Sequence, residues 1–253
     1  MKIRSSSYDC ARRCEKRFYW KYILGLLPNK EKRNDLYFGS MLHEAVDAIH
    51  LGEDYMPIWR SYDISLASKD KNPQTGRVLT KMYAKKPFKM LTSEKSFEVY
   101  IGKHKWHGRF DGITEIDNSL YVVDHKTTRW GTVGKYAMQT KPNNQFISYV
   151  LGGRVYFKDI DSLIVNVFNV RDMKIERLYV SFSPDEINNW IEETKLFLSH
   201  LVRCINSGHF PKSNDCKLYG YDCDYKQLCS VSNPKAFIDR RFHVEQESID
   251  MSW

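Results

Sequence analysis

Gly108-Arg109-Phe110-Asp111-Gly112, followed by Tyr121-Val122-Val123-Asp124-His125-Lys126-Thr127, holds two aspartates in runs of strand-forming residues. Asp117-Asn118 between the two runs reads as a two-residue turn, so the runs pair as an antiparallel hairpin. That register sets Asp111 directly opposite Asp124. Opposed Cβ atoms in such a pair lie roughly 5 Å apart, and two carboxylates that close repel unless a cation sits between them. Strand alternation puts Lys126 on the face of Asp124 and turns His125 to the other. Two carboxylates and a lysine on one face can hold magnesium or manganese against a phosphate and position an attacking water. An exposed hairpin with merely solvated acids is the alternative reading of the same residues.

Working outward, the strand pattern covers Phe97 to Ile101, Trp106 to Ile116 and Leu120 to Thr127, then Leu163 to Val170 and Ile175 to Phe182. Helices are predicted from Ser7, as cap, through Leu24, from Tyr37 to Leu51, from Val78 to Lys86 before Pro87, from about Asn144 to Tyr156, and from Ser183-Pro184 to about Ser207 before Gly208. Pro28 to Asp35 reads as a polar connection. Asn72-Pro73 and Gly76 mark Lys69 to Gly76 as a loop. The result is a mixed α/β chain with a central sheet flanked by helices. No repeat, low-complexity tract or interdomain linker divides it.

The bulk composition agrees. The chain has 253 residues, 42% hydrophobic and 28% charged, which suits one large globular domain. Its net charge of +8 favours an acidic partner, most commonly nucleic acid. No apolar run resembles a signal peptide or a membrane span, so a cytoplasmic protein of a bacterial, archaeal or phage-infected cell is expected, without a membrane partner. In a reducing compartment the six cysteines are metal ligands or core residues rather than disulfides.

With these residues in place, the chain resembles the PD-(D/E)XK nucleases in their RecB-type form. Asp111 with Asp124-His125-Lys126-Thr127 resembles the family's acidic core and its "DYKT" strand. Phe38-Gly39-Ser40-Met41-Leu42-His43-Glu44 resembles its glycine-x-x-x-histidine helix, and Gln145 with Tyr149 its glutamine-x-x-x-tyrosine motif, both side chains on one helix face. The resemblance runs from Ser7 to Cys229. It implies a restriction-endonuclease-like core in which His43, Asp111 and Asp124 are metal ligands, with the His125 carbonyl as a further one. Lys126 would be the catalytic lysine. Gln145 and Tyr149 would position the lysine or the nucleic-acid backbone. Glu98, on the preceding strand, is a candidate additional acid. His50, His104, His107 and His200 have no motif support and read as core or surface histidines.

Cys14 near one end, with Cys216, Cys223 and Cys229 near the other, resembles the iron–sulfur subgroup of these nucleases, which includes the CRISPR-associated adaptation exonucleases and AddB-type domains. The resemblance implies a 4Fe-4S cluster joining the N- and C-terminal segments, with zinc as the alternative. Six residues separate Cys216 from Cys223 where the common pattern has two. Cys10, one helical turn before Cys14, could stand in for it. Cys204 reads as a packing residue. The expected organisation is one nuclease domain over 1–253. Residues 1–35 and 208–230 form the cysteine region, 36–207 the catalytic core and 231–253 a polar tail.

Arg12, Arg13, Lys16 and Arg17, interleaved with Phe18, Tyr19 and Trp20, and Lys85 and Lys86 beyond them, suit single strands, where bases stack and phosphates pair. On the first helix a packed aromatic core under a solvated basic face accounts for most of the aromatics. No Walker A motif is present, so any helicase or recombination partner acts in trans. The expectation is a DNA exonuclease on single strands or ends, serving recombination, repair or phage DNA processing. A spacer-processing nuclease of the same fold and a non-catalytic iron–sulfur DNA-binding subunit are the alternatives.

Overall fold

The computed structural model describes residues 1–29, 34–129, 143–214, 216–218 and 221–245. The middle of the Pro28 to Asp35 connection and the end of the polar tail lie outside the described residues. The chain divides into two compact units, one made of Met1–Glu31, Glu98–His107 and Pro184–Trp253, the other of Lys32–Phe97 and Gly108–Ser183.

The second unit is built on the hairpin. Asp117 and Asn118 take φ of 51° and 61°, the left-handed pair of a type I′ turn whose twist suits the strands it joins. The ladder runs from Ile116↔Ser119 to Gly112↔Val123, the register predicted from the turn. Ser119–Thr128 then pairs parallel with Ser162–Asn169, which pairs antiparallel with Lys174–Ser181. The helix Asn144–Gly153 lies in the crossover between the two parallel strands. A mixed sheet results. Ser119–Thr128 is its central strand, and Val122 through His125 are all buried, as expected of a strand covered on both faces. Helices Asn34–Leu51 and Pro73–Ala84 bring Phe38, Leu42, Leu79 and Tyr83 into one core with Val123, Ile164 and Phe168.

Two local expectations are corrected. Asn72-Pro73 is a helix start rather than a loop: Asn72 Oδ1 accepts from Thr75 N at 2.9 Å and Pro73 opens the helix Pro73–Ala84. Strand Met90–Ile101 begins well before Phe97 and contains Glu94 at φ 49°, a left-handed residue inside a strand. Its fully buried side chains, Phe97 and Ile101, both fall on odd positions after Glu94. A bulge-like kink of this kind re-aims a strand.

In the first unit, Lys2–Ile3 pairs parallel with Lys105–Trp106, and Tyr8, Trp106, Trp190 and Phe197 form a chain of ring contacts. The helix predicted from Ser7 through Leu24 is broken. Ser5–Arg13 ends at Cys14, which is extended (φ −166°, ψ 112°), and the chain restarts as Glu15–Phe18 and a π-turn, Tyr19–Ile23. Cys14 Sγ accepts from Arg17 N at 3.4 Å and so caps the second helix. The N-cap is Arg4 rather than Ser7, which lies at the third helical position, where its hydroxyl accepts from Arg4 N at 3.1 Å and donates to Arg4 O at 2.9 Å. Among the described residues no helix is long and apolar enough to cross a membrane.

Candidate active site

Where the hairpin ladder ends, side chains take over. The His125 backbone N–H donates to Asp111 Oδ2 at 2.6 Å, so the carboxylate is held by the central strand. The other oxygen, Oδ1, takes Nδ1 of His43 at 3.2 Å, across from the helix Asn34–Leu51. Donor atoms of His43, Glu94 and Asp111 all lie within 4.8 Å of one another, the spacing of a cation site. Glu94 also pairs with Arg109, Oε2 to Nε at 2.7 Å.

Asp124, fully enclosed on the same strand, faces Lys126 as alternation requires. Lys126 Nζ stands 2.9 Å from Oδ1 and 2.8 Å from Oδ2, and only the first contact is a directional hydrogen bond. Asp124 Oδ2 is buried without one, which leaves it a lone pair to give. On the helix Asn144–Gly153, Gln145 Nε2 donates to the Tyr149 hydroxyl at 2.9 Å. The buried Tyr149 lies close enough to Asp124 and Lys126 to feel both charges.

The electrostatics follow from three carboxylates in a confined space. Burial opposes ionisation of Asp111, but the hydrogen bond and charge of His43 and the His125 amide outweigh it and hold the carboxyl well below its usual range. Burial pushes Asp124 the other way, aided by the charge of Asp111 and resisted by Lys126. Glu94 is raised by burial despite Arg109. Burial would lower His43, yet Asp111 and Asp124 raise it. Burial likewise opposes the Lys126 ammonium, and Asp124 overrules it. Protein cations thus balance the acids, and the donor set is all oxygen and imidazole, which suits magnesium or manganese.

The His125 side chain points to the other face, as read from the sequence. Its Nδ1 lies 3.1 Å from Asn166 Nδ2, and its ring packs near His50, Tyr83 and Phe168. Burial lowers it to about 3, so it is neutral. His50, read from the sequence as a core or surface histidine, hydrogen-bonds the Tyr83 hydroxyl at 2.8 Å.

Glu98 is not the additional acid. It belongs to the first unit and is half exposed between Lys2 (2.8 Å) and Lys105 (3.4 Å). Glu94 instead stands with His43 and Asp111. Nothing in the residue types announces a left-handed glutamate.

In the first unit, Cys14, Cys216, Cys223 and Cys229 line one small cavity of ≈ 60 Å³ together with Arg13, Arg17 and three lysines. The long Cys216–Cys223 spacing is accounted for. Lys217–Leu218 and Tyr221–Asp222 pair as a small antiparallel ladder, so Cys223 N donates to Cys216 O at 2.7 Å. Cys14 Sγ accepts two backbone N–H groups, Arg17 and Ser213, both at 3.4 Å. Cys10 does not line the cavity, and burial raises its thiol to about 11. Cys204 is buried in the helix Pro184–Ser207, a packing position.

The basic residues are divided. Arg12 stacks over Phe197 at 5.0 Å and Lys16 over Tyr19 at 4.4 Å in the first unit, while Lys85 and Lys86 are exposed at the end of Pro73–Ala84 in the second.

A model of the PD-(D/E)XK nuclease superfamily matches residues 5–230. No curated protein matches the sequence significantly. Among solved structures, a protein from Eubacterium rectale, provisionally named an exonuclease, is similar over 90% of this chain and 92% of its own, with a TM-score of 0.58 at 10% identity. That likeness concerns the fold alone. Another, SSO0001, is 15% identical over 67% of this chain and 79% of its own at a TM-score of 0.31, too low to support an argument.

Proposed function

We propose, from the premise that this chain belongs to the PD-(D/E)XK nuclease superfamily, that it is a metal-dependent exonuclease acting on single-stranded DNA or DNA ends in recombination, repair or phage DNA processing. The observation that carries the reading is the convergence of His43, Glu94 and Asp111 donors within 4.8 Å, coupled electrostatically to the buried Asp124–Lys126 pair. His43, Asp111, Asp124 and Glu94, with the His125 carbonyl, would hold magnesium or manganese, which would polarise the phosphoryl oxygen and lower the pKa of its water.

The chain's own groups supply the rest. Asp124 keeps the Lys126 ammonium charged and aimed, so that it offsets negative charge gathering on the phosphoryl group. Asp111, fastened to both His125 N and His43, fixes the helix and strand ligands at one distance. Gln145 orients the Tyr149 hydroxyl beside the lysine. Arg12, Arg13, Lys16, Arg17, Lys85 and Lys86 meet the nucleic-acid backbone. The whole of 1–253 works as one nuclease, cytoplasmic, with a helicase or recombination protein in trans.

Cys14, Cys216, Cys223 and Cys229 would carry a 4Fe-4S cluster, a dianion with its four thiolates that the cationic lining suits. Zinc on the same four thiolates is the alternative. The cluster would tie residue 14 to the 216–229 segment and stabilise the first unit by closing a long loop.

The test is cleavage of end-labelled single- and double-stranded DNA with magnesium or manganese, using anaerobically purified wild type beside Asp124→Ala. Metal-dependent degradation by the wild type alone is expected. DNA binding without cleavage by cluster-loaded wild type would instead make it a non-catalytic subunit.

A further inference from the structure

A second feature of the second unit is an open groove of ≈ 540 Å³ beside the acids. Thr92, Ser93 and Lys95 in its wall bracket Glu94 in the chain. Gly112, next to Asp111, sits so close to the Thr92 carbonyl that a Cβ there would come within 2.6 Å of it. The groove and the acid cluster therefore share a wall. His50, also in the lining, feels the charge of Asp111.

The chemistry of the lining is one-sided. No lining residue is acidic. Lys89 and Lys95 are exposed, and neither ammonium is engaged in an ion pair among the described residues. Leu51 and Leu91 are 61% and 44% exposed, large apolar side chains that nothing in the unit covers. Two ammonium groups and two bare leucines within a volume typical of small-molecule sites match an anionic group joined to a flat, half-apolar ring. A protein segment would need an acidic and apolar sequence of its own. A strand whose phosphate met a cation held by the neighbouring acids would bring the matching groups with it.

We infer that this groove is the subsite for one nucleotide of the strand being cut, the one adjacent to the scissile phosphate. Its phosphate lies against Lys89 and Lys95 and its base against Leu51 and Leu91. The inference rests on the nuclease reading above and adds the place where that enzyme holds its substrate.

Two measurements separate them. The first is binding of deoxynucleoside 5′- and 3′-monophosphates to the metal-free full chain, followed by NMR or calorimetry, with inorganic phosphate as control. Binding by at least one monophosphate, tighter than phosphate and lost in Lys89→Glu/Lys95→Glu and in Leu91→Glu, is expected. The second is steady-state cleavage of a single-stranded oligonucleotide, where the same variants should raise KM tenfold or more with the loss falling on KM rather than kcat. All changed side chains are exposed, and an unchanged melting curve verifies that the variants fold. Monophosphates binding no better than phosphate, or equally to wild type and variants, would overturn the subsite even if the enzyme cleaves DNA. Variant-sensitive binding in a wild type that never cleaves would uphold the subsite and overturn the nuclease instead.

Discussion

The backbone N–H of His125 and the side chain of Asp111 meet at 2.6 Å, so a residue of one hairpin strand is held by the main chain of the other just past the last ladder pair. The same carboxylate also takes His43. Asp111 is therefore a structural bracket as well as a candidate ligand. Asp111→Asn keeps the shape but halves the acceptor capacity and removes the charge that raises His43. Manganese affinity should fall by about a hundredfold or more, measured by calorimetry, with cleavage lost at any ordinary metal concentration.

Glu94 and Glu98 give a paired test on one strand. Glu94→Gln should weaken divalent-metal binding about 10- to 100-fold. Glu98→Gln, which breaks only exposed contacts to Lys2 and Lys105, should leave metal binding unchanged. Equal effects, read by manganese electron paramagnetic resonance, would contradict the placement of Glu94 at the site.

Cys14→Ala, Cys216→Ala, Cys223→Ala and Cys229→Ala should each purify with less iron and lower visible absorbance than wild type. Cys10→Ala and Cys204→Ala should match wild type in iron content. Loss of the Cys14 ligand also removes a helix cap, so its melting temperature should fall furthest among the four.

Acid should destabilise the first unit through His104. Burial, the N-terminal ammonium and Lys103 all lower its pKa below 6.5, and its Nδ1 is buried without a partner. A depressed histidine favours the neutral form when folded. Its contribution is full above pH 6.5 and is lost as the pH falls toward the folded-state value, because the unfolded chain takes up the proton first. Unfolding of the metal-free chain in denaturant at successive pH values should show a steeper decline below pH 6.5 in wild type than in His104→Gln.

Gly76→Ala should destabilise the second unit by about 1–3 kcal/mol, since a Cβ there would run into the Trp59 ring, itself fixed by the Nε1 hydrogen bond to Thr80 at 3.0 Å. Thermal unfolding would read it directly.

The hairpin was legible because its determinants are local: a two-residue turn sets the register, and register sets which side chains share a face. The shared face of Asp111, Asp124 and Lys126 and the turned-away His125 follow from that alone, whereas Gln145 with Tyr149 was legible only through the family resemblance, helical spacing adding that they share a face. What escaped depends on backbone states that several residues set together. Glu94 reaches the acids through a positive φ that its type does not announce. The break at Cys14 is an extended residue inside a run of good helix formers. Asn72-Pro73 carries the same two residues whether it turns a loop or starts a helix, and here the Asn72 side chain caps the helix at Thr75 N. The Cys216–Cys223 spacing looked too long because a paired ladder folds it back, which a count of residues does not reveal.

The discontinuity of the first unit has a consequence for how the protein is made. Residues 1–31 leave the ribosome well before the rest of their unit: the helix Pro184–Ser207 that completes it follows about 150 residues later, roughly 8–30 seconds at ordinary rates of synthesis. Through that interval Tyr8, Phe18, Trp20 and Tyr22, all buried at the end, have no partners from the last segment to cover them. Lys32–Phe97 and Gly108–Ser183 hold a core of their own and can collapse while the N-terminal segment waits. The nascent chain is thus exposed to aggregation at this waiting segment, and a slowed ribosome or a truncated message would leave it sticky beside an otherwise folded core.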